Sequence, residues 1–195
     1  MRIFLAGATG VLGIRLLPLL VDAGHVVAGM TRSPGKVDAI RARGAEPVVC
    51  DVFEAARLVE AVKSFEPDAI VDQLTDLPDR RNELVAHAAK NDRIRTEGTR
   101  NLVAAATAAG AKRFVAQSIA WRPPKERGHA VDLHEQQVLE IGGVIVRYGR
   151  LYGPGTYYEG ELPSPPRVHV DTAASATPPL LDLASVIVTI VDAAQ

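Results

Sequence analysis

The chain has very little cysteine, few aromatic side chains and no excess of either charge. Its 195 residues include one cysteine, Cys50, which excludes an intramolecular disulfide. Cys50 ends an apolar run, so we expect a buried, unreactive thiol. The net charge is −1, from 22 basic and 23 acidic residues, and gives no indication of a nucleic-acid or membrane partner. Arg93, Arg95 and Arg100 lie at helical spacing among acids and are expected on a solvated face.

Long hydrophobic runs are also missing. Near the N-terminus, Arg15, Asp22 and several glycines interrupt every apolar stretch, so we expect neither a signal peptide nor a membrane-spanning segment. A cytoplasmic protein is therefore the default expectation. The five histidines are scattered without metal-ligand spacing, so no metal site is predicted. No G-x-S-x-G motif is present, and the N-terminal glycines lack the lysine of a nucleoside-triphosphate P-loop.

What the chain does contain is a regular alternation of apolar strands and amphipathic helices. Helical patterns of about a dozen residues separate the strands, which predicts βαβ units and a parallel sheet covered on both faces. We therefore predict an α/β fold, a Rossmann-like doubly wound parallel sheet in a three-layer αβα arrangement. Strands are predicted at 2–6, 25–30, 47–50, 68–74, 113–117, 143–147 and 186–191, with a short strand and helix within 168–177. Helices are predicted at 10–23, 34–43, 54–65 and 82–109, with Ser33 as the N-cap of the second and a break near 91–92 in the last.

Three glycines follow the first predicted strand at steps of three, in the run GATGVLG. Gly7 permits a tight turn, Gly10 lets the backbone approach a bound pyrophosphate, and Gly13 lets the next helix pack against the strand. Free N–H groups at the N-terminus of that helix suit phosphate, and a threonine hydroxyl adds a further donor. A purely structural turn is the alternative. The predicted cofactor-binding residues of this loop are Gly7, Thr9, Gly10, Val11, Leu12 and Gly13.

The end of the second predicted strand bears on the choice of cofactor. In dinucleotide-binding folds an acid at this point binds the ribose 2′-hydroxyl, but this chain reads Met30-Thr31-Arg32-Ser33 and has no acid. Arg32 can bind a 2′-phosphate through bidentate, charge-assisted hydrogen bonds, and Ser33 adds a donor. We therefore predict NADP as the cofactor, with NAD as the alternative, and include Thr31 among the binding residues.

These segments resemble the short-chain dehydrogenase/reductase superfamily, in its extended and atypical, epimerase/dehydratase-like branches. The resemblance rests on GATGVLG, GHVVAGMTRSP, the CDV at 50–52, RTEGTRNLVAAATAAGAKRFVAQS and VIVRYGRLYGPG, and more loosely on VHVDTAASAT. It implies that Asp51 and Val52 lie at the adenine, although Asp51 is equally suited to cap the next helix. Gln73, Leu74 and Thr75 end the fourth strand and are expected to line the middle of the cofactor.

The resemblance also implies one dinucleotide-binding domain over 1–195, with a minimal C-terminal substrate-side segment at about 148–195. Only about 48 residues follow Arg147. Either the substrate-binding part is minimal, or the chain is a shortened form of a longer ancestor. Both alternatives remain open from the sequence.

The residues that usually carry out catalysis in this superfamily are not at their expected places. Such enzymes use a serine or threonine with a Y-x-x-x-K pair on the helix between strands five and six. Ser118 ends the fifth strand and is the candidate catalytic residue, polarising a substrate oxygen. The following helical stretch has no tyrosine, and its one lysine, Lys125, lies in a Pro-Pro-Lys loop. His134 and Glu135 are candidate replacements, but we expect both on the exposed face of an amphipathic helix.

Two function hypotheses follow from this combination. The first is an NAD(P)-binding oxidoreductase or epimerase-like enzyme acting on a small carbonyl or sugar-like compound, which the resemblance favours. The second is a non-catalytic, NADP(H)-binding redox sensor or regulator resembling the NmrA-like members, which the missing tyrosine–lysine pair favours. A degenerate remnant that binds nothing is a weaker third. The predicted partners are a small-molecule substrate or nucleotide, and the oligomeric state is left open.

Overall fold

The protein is described by a computed structural model that covers residues 1–123 and 125–193. These ranges contain nine strands: β1 (Arg2–Ala6), β2 (Val26–Thr31), β3 (Glu46–Val49), β4 (Ala69–Asp72), β5 (Arg113–Ile119), β6 (Val144–Tyr148), β7 (Arg150–Tyr152), β8 (Arg167–His169) and β9 (Val186–Ile190). Seven of them form one parallel sheet in the order β3-β2-β1-β4-β5-β6-β9, and β7 pairs with β8. The predicted α/β, doubly wound parallel fold is confirmed.

In the described part of the chain, seven α-helices connect or flank these strands: α1 (Gly13–Asp22), α2 (Val37–Arg41), α3 (Ala55–Phe65), α4 (Ala88–Arg93), α5 (Thr99–Ala109), α6 (Lys125–Glu140) and α7 (Val170–Ser175). Between α4 and α5 the chain forms one π-helical turn, Ile94–Gly98. Short 3-10 turns occupy Pro34–Lys36, Arg81–Glu83 and Pro178–Asp182. In the ranges that the structure describes, no helix is both long and apolar enough to cross a membrane.

The sheet is apolar on both faces because helices cover both. Along β1, side chains alternate between the two layers. Leu5 packs with α1 and α7, in one cluster with Leu16 and Val170, whereas Phe4 packs on the opposite face with Leu58 of α3. The five central strands, β2, β1, β4, β5 and β6, therefore contribute to two hydrophobic cores, which explains why their sequences are nearly continuous apolar runs.

The strand order reverses between β1 and β4. β1 is hydrogen-bonded to β2 on one side and to β4 on the other. The helix that follows β1 and the helices that follow β4 pack on opposite faces of the sheet. In such sheets the ligand crevice lies outside the carboxyl ends of the strands, at this reversal point. The glycine run that follows β1 and residues 73–75 after β4 therefore lie at the same edge.

Some predicted boundaries were wrong. Helix α1 begins at Gly13, although the pattern predicted a start at residue 10, because 7–12 form turns. The stretch 82–109 was predicted to be helical, with a break near 91–92, and is a 3-10 turn followed by α4, the π-helical turn and α5. Ser33 occupies the predicted N-cap position, but it precedes a 3-10 turn and its side chain makes no capping hydrogen bond. Cys50 is buried, as predicted.

Candidate cofactor and substrate sites

The glycine run forms a turn that only glycine fits at two positions. Gly7 has a φ of +79°, and a Cβ there would lie 2.6 Å from the carbonyl oxygen of Gln73. A Cβ on Gly13 would lie 2.1 Å from the carbonyl oxygen of Gly7, so α1 packs against the end of β1 with no room for a methyl group. Gly10 is less constrained, its nearest neighbour being 3.3 Å away. The backbone thus makes a shallow cradle at the crevice.

The N-terminus of α1 opens into this cradle. The amide of Ile14 donates to Gly10 O, but the amides of Val11, Leu12 and Gly13 have no hydrogen-bond acceptor in the described part of the chain. The first turn contains no acidic side chain and no side-chain cap. Uncapped amides and the positive end of the helix dipole make this an anion-binding position. The cradle and these amides fit the pyrophosphate of a dinucleotide.

Thr9 and Thr31 join the glycine run to the end of β2. Their hydroxyl oxygens lie 3.1 Å apart, and Thr31 Oγ1 also accepts the amide of Ser33 at 3.2 Å. Thr31 is buried, so it serves as a link between the two turns. The predicted phosphate-binding loop and the predicted cofactor-selecting loop are therefore held side by side.

A pocket of about 310 Å³ lies beyond β2 and β3. It is lined by Arg32, Asp51, Phe53, Asp76, Lys90 and Arg93. The Arg32 guanidinium is 2.9 Å from Asp76 Oδ1, and this partner raises the pKa of Arg32. Asp51 accepts the amide of Phe53, and the Arg93 guanidinium lies 3.8 Å from the centre of the Phe53 ring. Asp76, Lys90 and Arg93 were not predicted from the sequence. They lie far from Arg32 along the chain and reach this pocket only in the folded structure.

Four other predicted contact residues follow β3 and β4. Val52, after β3, is buried, and its carbonyl accepts from the side-chain amide of Asn101. Gln73 is buried with neither side-chain amide atom bonded within the described residues, and Thr75 is exposed. The Leu74 carbonyl accepts from the Gln117 side chain, which holds the backbone of the turn after β4.

The polar side chains at the carboxyl ends of β5 and β6 form one compact network with α6. Ser118 Oγ donates to Glu135 Oε1 at 2.6 Å, and the Arg147 guanidinium makes two bonds to the same carboxylate, at 2.9 Å and 2.5 Å. These partners hold the pKa of Glu135 below its ordinary value in spite of burial. The candidate catalytic residue Ser118 is buried here, and its single proton is donated to Glu135.

The expectation that His134 and Glu135 are surface residues was wrong. Their exposed fractions are 3% and 5%, because α6 turns this face toward β5 and the start of α5. His134 Nε2 lies 2.8 Å from the Gln117 carbonyl and Nδ1 lies 2.7 Å from Thr99 Oγ1. A carbonyl only accepts, so Nε2 holds the proton and Nδ1 accepts from Thr99. Burial, together with the nearby Arg95, lowers the pKa of His134 to about 4, and the ring stays neutral.

The expectation of a solvated face for Arg95 was also wrong. The π-helical turn places Arg95 against the interior, near the buried Asp72 and Glu135, while Arg93 and Arg100 are exposed. Desolvation lowers the pKa of Arg95, although an arginine remains cationic. Burial raises the pKa of Asp72 to about 6, against the opposing effects of the Leu74 amide and Arg95. A π-helical turn is often found at functional sites.

A second pocket, of about 440 Å³, opens beside the α6 network. Its wall combines the turn after β5 with one side of α6, and it includes Ile119, Trp121, Arg122, His129, Asp132, Glu135 and Arg147. Its volume is in the range of small-molecule sites. We refer to it as the α6 pocket. Among the described residues, no three histidine, cysteine, aspartate or glutamate side chains cluster closely enough to hold a metal ion.

The glycine turn, the uncapped α1 terminus and the reversal-point crevice together define a Rossmann-type dinucleotide-binding protein. The NAD(P)H-binding family matches residues 7–136, and the chain belongs to that family. Cofactor binding at the level of NAD(P) is thereby established, as the glycine run predicted.

The chain is similar in sequence to a reductase and similar in fold to epimerases of known structure. A 3-diazoavenalumate denitrifying reductase from Streptomyces sp. is 36% identical, over 90% of this chain and 70% of the relative. A photosystem II assembly factor from Synechocystis sp. is 32% identical over 61% of this chain and 34% of the relative. The crystal structure of UDP-glucose 4-epimerase from Brucella ovis, in complex with NAD, has a TM-score of 0.80 and 17% identity. That match covers 97% of this chain and 77% of the epimerase. The chain therefore has the fold of these epimerases, as the predicted resemblance to the epimerase/dehydratase-like short-chain dehydrogenase/reductase group implied, and its sequence places it in the NAD(P)H-binding family.

Proposed function

We propose that this protein is an NADPH-dependent reductase that acts on a small aromatic diazo compound. The observation that supports this best is that the described part of the α6 network has no proton to give. Ser118 donates its proton to Glu135, and the one proton of His134 is bound by a carbonyl. Reduction of a carbonyl compound needs a proton donor for the new alkoxide. A substrate that accepts hydride without one fits this site better.

The cationic diazonium form of an aromatic diazo compound has this property. Its carbon–nitrogen bond breaks with loss of N₂, the hydride forms the new carbon–hydrogen bond, and NADPH is oxidised to NADP⁺. The atoms and electrons balance with no external proton. NADPH, when bound in the crevice, supplies the hydride. The 36% identical Streptomyces relative is named as a denitrifying reductase of a diazo compound, and this supports the same class of substrate here.

The choice of NADP over NAD rests on the charges around the smaller pocket. Arg32, Lys90 and Arg93 supply three cations against the two carboxylates of Asp51 and Asp76. A 2′-phosphate would add charge-assisted hydrogen bonds to this cluster, whereas a 2′-hydroxyl would not. In the free protein Asp76 holds the Arg32 guanidinium at the pocket, with 59% of the side chain still exposed.

Titration calorimetry with NADPH and NADH tests this choice. We expect Arg32→Ala to weaken NADPH binding by roughly tenfold or more, the value of one charge-assisted bond, and to leave NADH binding nearly unchanged. Arg41→Ala is a matched control, because Arg41 is an exposed arginine of α2 paired only with Asp38. Equal binding of both nucleotides by the wild type would contradict the NADP assignment.

A non-catalytic role is the second candidate, and the assembly-factor relative favours it. Incubation with 3-diazoavenalumate and NADPH separates the two functions. The reductase proposal expects one N₂ released for each NADPH consumed. Tight NADPH binding without any consumption would replace it with the sensor or regulator. We further infer that its ligands are a nucleotide and a small molecule, since the chain is nearly neutral. We also infer that it acts in the cytoplasm, where a chain with one cysteine needs no disulfide.

A further inference from the structure

The α6 pocket contains a cation whose hydrogen-bonding capacity is only partly used. We propose that this pocket binds the carboxylate of an aromatic acid, with Arg147 as the anchor for the anion and Trp121 as the wall for the ring. The inference rests on the proposed function and adds the class of substrate: an anionic aromatic compound.

Arg147 has the donors that this role requires. A guanidinium carries five N–H groups in a planar fork. Glu135 accepts two of them, from Nε and Nη2 of Arg147, and the other three have no acceptor among the described residues. The Arg147 side chain is 38% exposed and lines the pocket, whereas Glu135 is only 7% exposed. The unused edge of the guanidinium is therefore the part that faces the cavity.

Glu135 and Ser118 hold this fork in place. The bidentate bond fixes the plane of the guanidinium, and Ser118 in turn fixes Glu135 Oε1 from the end of β5. Ser118 lies opposite Arg147 in the β5–β6 register, so both ends of the network stand on neighbouring rigid strands. On this assignment Ser118 is a positioning residue, which acts on the substrate through Glu135 and Arg147.

Trp121 supplies the apolar surface of the pocket. The Arg150 guanidinium lies 4.9 Å from the centre of the Trp121 ring, and Arg150 also donates to the Ser164 and Pro165 carbonyls. Among the described residues that line the pocket, the cations Arg122 and Arg147 balance the carboxylates Asp132 and Glu135. The nearby Arg150 therefore supplies the excess positive charge that an incoming anion meets, and Arg147 supplies the free N–H donors.

Trp121 also makes the test direct, because it is the single tryptophan of the chain. We would follow its fluorescence while titrating cinnamate and, separately, the uncharged methyl ester of cinnamate. We expect cinnamate to bind roughly tenfold or more tightly than the ester, since only the acid forms a charge-assisted bond. Equal affinity for the two probes would overturn the proposal.

The role of Arg147 is tested with a double variant that removes both charges of the Glu135–Arg147 ion pair. Arg147→Gln alone would leave a buried carboxylate unpaired, so Glu135→Gln and Arg147→Gln are combined to remove both charges and keep a hydrogen-bonding pair. We expect this double variant to bind cinnamate as weakly as the ester. Arg57→Gln, at an exposed arginine of α3, is the control and should bind cinnamate as the wild type does. Wild-type cinnamate affinity in the double variant would refute the role of Arg147.

Ser118→Ala tests the positioning role. We expect a several-fold loss of affinity for cinnamate with no change for the ester, because only the binding of the anion depends on the orientation of the Arg147 guanidinium. Equal losses for both probes would point to a structural role for Ser118. Cinnamate has no diazo group, so these titrations remain informative even if 3-diazoavenalumate is not turned over, and the two proposals fail separately.

Discussion

Asp72→Asn should stabilise this protein near neutral pH, although it removes a buried charge beside an arginine. Burial raises the pKa of Asp72 from 3.8 to about 6, a shift of roughly two units. Each unit corresponds to about 1.4 kcal/mol, so ionising Asp72 costs the folded state roughly 3 kcal/mol above pH 6. Asparagine removes this cost and keeps an oxygen for the Leu74 amide. Arg95 loses an attractive neighbour, so the net gain is smaller than that upper value.

The gain should disappear in acid. Well below pH 3.8, the ordinary pKa of this group, the Asp72 carboxyl is protonated in both the folded and the unfolded chain, so the two proteins should have the same free energy of unfolding. Between these limits the folded wild type binds the extra proton, and its stability falls as the pH rises. His134 has the opposite effect, because its pKa is lowered from 6.5 to about 4 and the unfolded chain binds the proton in that window.

The two opposing groups make the pH profile itself a test. In the wild type the effects of Asp72 and His134 on the pH dependence of stability largely cancel between about pH 4 and pH 6. In Asp72→Asn, of these two effects only that of His134 remains. Urea unfolding at several pH values should therefore show a variant whose stability rises with pH more steeply than that of the wild type. A stability difference that is the same at about pH 4 and pH 7, or a variant that is less stable at pH 7, would refute the reasoning.

Three further predictions follow from contacts described above. Gly13→Ala should lower the melting temperature and abolish NADPH binding in calorimetry, since its Cβ would lie 2.1 Å from a backbone oxygen. Gly10→Ala should still give a folded protein with a measurable melting temperature, and equal effects of the two substitutions would contradict the packing argument. His134→Ala should lower the free energy of unfolding by about 2–4 kcal/mol, through two lost hydrogen bonds and a cavity, and a change below about 1 kcal/mol would refute its buried role. Tyr148→Phe should cost about 1–2 kcal/mol, because its buried hydroxyl lies 2.6 Å from Thr177 Oγ1, and thermal unfolding would measure this.

The fold and the phosphate cradle were predictable because they depend on local patterns. Apolar runs of strand length, helical spacing between them and the glycines at steps of three each act over a few residues. Gly13 illustrates this, since the atoms that exclude a Cβ there belong to Gly7 and Ala8 of the same run GATGVLG, whereas the close contact of Gly7 with Gln73 depends on the distant strand β4. The C-terminal strand β9 and helix α7 were also predicted, from short apolar segments.

The network at α6 was not predictable in the same way. The helical pattern alone placed His134 and Glu135 at the surface, because polar residues on an amphipathic helix usually face water. Their burial depends on partners from β5, β6 and α5, which are distant in sequence. One signal was available: Arg147 is a lone charge inside the apolar strand VIVRY, and such a residue needs a buried acid. Arg95 was missed because a π-helical turn shifts the helical spacing by one residue.

Arg15 connects the N-terminal helix α1 to two later segments of the chain, and this contact couples nucleotide binding to the position of those segments. It lies in the first turn of α1, where it donates to Asp171, at 2.7 Å, and to the Pro154 carbonyl, at 2.6 Å. Every predicted cofactor-binding residue lies within 1–75, yet the helix that presents the phosphate cradle is held by the loop near 154 and by α7. A ligand that moves that loop will change the affinity for the nucleotide. Because coupling free energies are reciprocal, the nucleotide will change the affinity for that ligand by the same factor.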